Sequence, residues 1–165
     1  MPDGSEQTPP GRRRRVLPTE IPGGLRLPAG FHSPRIGLPG ILVVGAPAYR
    51  PDASTGEPSL AAFCRSFPPE DPADAFPVIV LADDSEFTAR TERNFLWVTF
   101  TRSNPAADID GVGAFTHQKH WGCTGPLVID ARIKPHHAPP LVDDPQVERR
   151  VDALGAPGGP LHGII

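Results

Sequence analysis

Apolar residues fall in short, well-bounded runs along this chain, and their spacing predicts most of the elements. Ile41-Leu42-Val43-Val44 is a β-branched run between Pro39-Gly40 and Gly45-Ala46-Pro47. It is too short for a helix and reads as a buried strand. Leu60 to Cys64 predicts a short helix ending near Phe67-Pro68. Phe76 to Ala82 is the strongest strand signal and runs into Asp83-Asp84. Between Thr91 and Ser103, Phe95, Leu96, Trp97, Val98 and Phe100 place apolar groups on most faces. That pattern suits a buried helix, and Asn104-Pro105 would stop it. A strand through Trp97 to Thr101 is the competing reading, because those residues are β-prone.

Ile109 to Phe115 is a strand candidate weakened by Gly111 and Gly113, and Pro126 to Ala131 is another. Near the end, Asp144 is a good N-cap and Pro145 suits the first helical position. Val147, Val151 and Leu154 then form one apolar face, closed by Gly155 as a C′ residue. The alternation of strands and helices predicts an α/β fold. The expected form is a small, mostly parallel sheet flanked by helices, with long proline-rich loops.

Composition changes this picture in three ways. The 165 residues suit one domain, but residues 1–18 are polar and carry Arg12 to Arg15. They are expected to be a disordered basic arm, leaving residues 19–165 as a single α/β domain. Four arginines in a row suit a solvated tail, and could also touch an acidic partner, a membrane surface or nucleic acid. The net charge of −3 argues against nucleic acid, since no basic excess is left to hold a phosphate backbone. Proline, with 23 residues, far exceeds its usual share of about 5%. Extended loops of this kind often lie against a neighbouring subunit. No apolar run nears the roughly 20 residues that span a bilayer, and no membrane partner is expected. Without an apolar signal core at the amino terminus the chain reads as cytoplasmic. Cys64 and Cys123 are then expected as thiols.

The densest chemistry is His117-Gln118-Lys119-His120-Trp121-Gly122-Cys123. His117, His120 and Cys123 could place three soft ligands on one metal ion, with His136 or His137 as a fourth. That spacing would suit a stand-alone metal-dependent enzyme. A second reading is substrate binding: Lys119 beside two imidazoles can hold a carboxylate, and Trp121 can wall an aromatic acid. Imidazoles can also move a proton near neutral pH. The remaining reading is a polar loop that Trp121 anchors. Arg102 could clamp a carboxylate with its planar fork, or satisfy helix-end carbonyls. Asp83-Asp84 and Asp130 end strands, where α/β sheets bind ligands and where aspartates also cap the next turn. No nucleophile elbow, P-loop or dinucleotide glycine motif is present, so no catalytic residue is named.

Three segments in order carry a resemblance. They are the strand ending in Asp83-Asp84, the stretch from Trp97 through Arg102 and Pro105 to Asp108, and Gly125 to Ala131 with Asp130. Together they resemble the carboxy-terminal domain of UbiD-type decarboxylases, over about residues 76 to 135. The resemblance implies carboxy-lyase chemistry on unsaturated or aromatic acids, using prenylated FMN held in a larger domain. No counterpart of that domain is expected here, so the chain would be a small subunit, not catalytic alone. It would support a larger flavin-binding partner in a hetero-oligomer. Trp97, Asp108 and Asp130 would then be structural, and His117, Lys119, His120, Trp121 and Arg102 would meet substrate. A purely structural assembly protein is the remaining alternative.

Overall fold

The computed structural model describes residues 16–51, 59–68, 71–138 and 144–164. Most of the expected basic arm, residues 1–15, lies outside the described residues. Residues 16–18 belong to the fold: the Pro18 carbonyl accepts from Gly40 N at 2.8 Å, and Leu17 packs on Gly40. The chain divides into two compact units, Met1–Pro135 and His136–Ile165.

The first unit is mixed α/β. Its strands are β1 (His32–Leu38), β2 (Ile41–Gly45), β3 (Val78–Ala82), β4 (Ile109–Gly111), β5 (Ala114–His117), β6 (His120–Cys123) and β7 (Leu127–Asp130). Its helices are α1 (Leu60–Arg65), α2 (Ser85–Arg90) and α3 (Glu92–Thr101). A five-stranded sheet runs β1-β2-β3-β7-β4. The expected mostly parallel sheet is instead mixed. Pairings β2–β3 and β3–β7 are parallel, while β1–β2 and β4–β7 are antiparallel. The physical reason is loop length: Pro39-Gly40, with Gly40 at φ 82°, allows a tight reversal between β1 and β2. Parallel neighbours need a long crossover, which α1 and then α2–α3 occupy.

The apolar runs sit where their composition demands. Val43, Val44, Ile79, Val80, Leu81 and Val128 are fully buried in the three central strands. Covered on both faces, these strands carry continuous apolar runs. One layer packs Phe31, Phe63, Phe67 and Phe76 on Leu42, Ile79 and Leu81. The other packs Phe95 and Val98 of α3 on Val43 and Val80. The stretch from Thr91 to Ser103 is therefore mainly helical and not a strand, but it is buried on one face instead of all round: Leu96, Trp97 and Phe100 are exposed.

The strand β1 and helix α2 have no clear signal in the sequence. The run from His32 to Leu38 contains Pro34 and Gly37, which hide its strand character. Asp84 caps α2 by accepting from Phe87 N at 2.9 Å. Thr91 then ends α2 and caps α3, accepting from Asn94 N at 3.1 Å. In the second unit, α4 spans Pro145–Gly155, with Asp144 accepting from Gln146 N at 2.8 Å. Beyond it the chain turns back, and Leu161 N donates to Leu154 O at 3.0 Å.

Candidate functional site

Two clusters hold the polar chemistry of the first unit. One is buried at the carboxyl ends of β3 and β7. As β7 leaves the sheet, Asp130, Arg132 and Lys134 alternate, and all three are buried. Arg132 grips Asp130 with both arms of its fork, Nε to Oδ1 at 2.9 Å and Nη2 to Oδ2 at 2.6 Å. Its third nitrogen donates to Pro47 O at 3.1 Å, and the Tyr49 ring centroid lies 5.4 Å from the guanidinium carbon. Lys134 Nζ donates to the carbonyls of Asp130 at 2.8 Å and Arg102 at 3.2 Å, and pairs with Asp108 at 3.3 Å. Asp108 in turn accepts from Asn104 N at 2.7 Å.

Asp83 closes the same network from β3. It accepts from Ile133 N at 2.8 Å and pairs with Arg102 at 3.4 Å. Arg102 also stacks on Trp97, with its guanidinium carbon 5.0 Å from the ring centroid. So Trp97, Arg102, Asp108 and Asp130, separated in sequence, are joined through Lys134 and Asp83. Beside them a cleft of ≈ 320 Å³ is lined by Tyr49, Ser59, Leu60, Asp108, Asp130 and Arg132. Charges this deep are tolerable because each faces an opposite charge and hydrogen-bond partners. Arg132 and Lys134 do not stand out in the sequence. The signal available was a strand-ending aspartate followed by cations two and four residues on.

The second cluster is the segment His117 to Cys123, which forms a ribbon of β5 and β6 instead of an irregular loop. The turn is Gln118-Lys119, with φ 47° and 67°. Positive φ at both central residues marks the tight hairpin turn that matches strand twist. His117 and His120 are direct cross-strand partners, so their imidazoles share one face. Phe115 shares it, two residues before His117, and packs over Gly122. Trp121 pairs with Thr116 and points to the other face, towards Gly111. The expected grouping of Trp121 with the two histidines is thus divided by strand alternation, and Phe115 is the aromatic on the histidine side. His117, Lys119 and His120 are exposed.

The same alternation keeps the ribbon from assembling the metal set. Cys123 lies three residues beyond His120 and faces away from it. Among the described residues no group of three or more histidine, cysteine, aspartate or glutamate side chains could hold a metal ion. Arg102 lies in the buried network, not on the ribbon.

The structure thus defines a mixed α/β domain with an ion network at the carboxyl ends of β3 and β7, and a ribbon bearing His117, Lys119 and His120 rooted at Gly111, which pairs with the amino end of β7. No protein-family model matches the chain. Among curated proteins it is similar to a 4-hydroxybenzoate decarboxylase subunit of Chlamydia pneumoniae, 37% identical over 79 residues. That stretch is 47% of this chain and 13% of the chlamydial protein. Uncharacterized proteins of Chlamydia muridarum and Chlamydia trachomatis are each 29% identical, over 80 and 79 residues, covering 48% and 47% of this chain. The chain spans 14% of the length of each. About half of this chain is therefore similar to a short part of that chlamydial protein. No helix among the described residues is long and apolar enough to cross a membrane.

Proposed function

We propose that this chain is a small subunit of a UbiD-type decarboxylase or carboxylase acting on unsaturated or aromatic carboxylic acids. The observation that carries the reading is the similarity to a 4-hydroxybenzoate decarboxylase subunit over 79 residues. The network geometry supports it, because Trp97, Arg102, Asp108 and Asp130, which carry the family resemblance, meet in one network, buried at Asp108 and Asp130 and exposed at Trp97.

The prenylated FMN is assigned to a larger partner subunit. Within this chain Arg132 and Lys134 are engaged by Asp130 and Asp108, which disfavours a flavin phosphate beside them. The ribbon is the part assigned to substrate. Lys119 supplies an ammonium at its tip, with two imidazoles side by side behind it. Together they suit a carboxylate arriving at a subunit boundary, and Phe115 offers an apolar face for the attached ring.

Co-expression with the large flavin-binding subunit tests this. The two chains should co-purify, and 4-hydroxybenzoate, used as probe, should be decarboxylated only when both are present. A large subunit equally active without this chain, or no stable complex between them, would overturn the reading.

A further inference from the structure

We infer that the outward face of α3 docks on α3 of a second copy of this chain, the two helices running antiparallel about a two-fold axis between Leu96 and Trp97. The inference does not rest on the functional reading above. Arg93, Leu96, Trp97 and Phe100 recur at i, i+3, i+4 and i+7, so they share one side of the helix. The other side is spent on the core, where Phe95, Val98 and Thr99 are buried. Leu96, Trp97 and Phe100 instead stay 43%, 46% and 68% exposed. Large apolar side chains scattered singly need no explanation, but a contiguous patch marks an interaction surface.

The patch is organised before a partner arrives. Phe87 of α2 meets Trp97 edge-on, with ring centroids 6.4 Å apart and planes at 79°. Arg102 stacks on the same indole. Arg90 stacks on Phe87, its guanidinium carbon 5.8 Å from that ring centroid. Trp97 is therefore held by its own neighbours, and it loses little rotamer freedom on binding. Arg93 differs from these arginines: it is exposed and has no ion-pair or ring partner among the described residues. Aromatic side chains with an arginine among them are the composition of interface centres.

Self-complementarity selects a second copy as the occupant. With the axis between Leu96 and Trp97, Leu96 lies against Trp97 of the second copy. Arg93 then faces Phe100 of the second copy, and the symmetry repeats both contacts. The unpartnered guanidinium gains an aromatic face to cover. The Arg93 side chains of the two copies stay on opposite sides of the axis, about 10 Å apart along it, so like charges are not opposed. Glu86 and Glu92 stand among Arg90 and Arg93 on this side of the molecule. Both signs are thus present, which suits a protein surface better than an anionic lipid surface or nucleic acid. A helix of 10 residues offers less than the roughly 800 Å² per partner of a standard interface. The dimer should accordingly be weak, with a dissociation constant on the order of 10–100 μM.

Sedimentation of the full chain over a concentration series tests this. The expected result is a monomer that passes to a dimer, and no larger species, as concentration rises. Phe100→Arg sets two cations against each other and should raise the dissociation constant roughly tenfold or more. Arg93→Glu combined with Phe100→Arg replaces the facing pair with an ion pair and should restore the dimer. Both positions face solvent in the single chain, so circular dichroism should stay that of the folded protein. A chain that is monomeric throughout, or a dimer indifferent to Phe100→Arg, would overturn the docking face. A double variant that associates as poorly as Phe100→Arg alone would overturn the antiparallel pairing.

Discussion

Lys119 occupies a backbone position that favours glycine. At φ 67° its side chain meets its own backbone, a cost of about 1–2 kcal/mol that glycine avoids. Asn-Gly is the preferred pair for such a turn, yet Gln118-Lys119 stands here. A side chain kept against local preference points to use at the tip. The double change Gln118→Asn, Lys119→Gly should raise stability by about 0.5–1 kcal/mol in denaturant unfolding. In the reconstituted complex it should lower decarboxylation roughly tenfold, as should Lys119→Ala, through loss of one charge-assisted contact. Full activity in both assembled variants would reduce the ribbon tip to scaffold. Arg132 offers the opposite case. Arg132→Met leaves Asp130 buried without its fork, and should cost about 3–5 kcal/mol. A loss below about 1 kcal/mol in thermal or urea unfolding would show that water or another cation reaches Asp130. Cys64 adds a pH dependence. Its folded thiol is held near 12 against an ordinary value of 9.0, so the folded state keeps a proton that the unfolded chain loses. That contribution is complete below pH 9 and is lost as pH climbs towards 12. Urea unfolding across this range should show the decline, and Cys64→Ala should flatten it.

Among the elements, the β5–β6 ribbon depends on one close approach. Gly111 lets Cys123 and the Trp121 ring lie against β4. A methyl group there meets the cysteine side chain directly, so Gly111→Ala should push the ribbon away and cost about 1–3 kcal/mol. Trp121 fluorescence should shift to the red, and an unchanged spectrum and stability would show that the ribbon stands free of β4. How far each element was legible follows from what defines it. The strands β2, β3 and β7 are continuous apolar runs between turn residues, and α4 carries an N-cap, a first-turn proline and a stripe. These are local signals, read without knowledge of the fold. The strand β1 is interrupted by Pro34 and Gly37, and the ribbon lacks an apolar run or a glycine turn. Their pairing partners make them strands, and pairing is not written in either segment alone.

At the scale of the whole molecule, the chain alone should bind no flavin. Purified protein should show no flavin absorbance after gel filtration, while the complex with the large subunit should. A flavin spectrum retained by the isolated chain would move the cofactor out of the partner. The acidic strand ends mark the limit of local patterning. Aspartate after a strand allows either a cap or a ligand site, and both adjacent residues were open to either use. In the folded chain Asp84 caps α2 while Asp83 joins Arg102 and Ile133. By itself the sequence determined the α/β class and the central strands, because burial demands their apolar runs, and it marked the helix α3, of whose apolar residues only Phe95 and Val98 are buried. It also brought forward Trp97, Arg102, Asp108 and Asp130 as a set. Only the tertiary structure decided that Lys134 and Asp83 join that set and that Trp121 parts from the histidines. Side-chain partnership across long sequence separations depends on strand order and register, which local patterning does not encode.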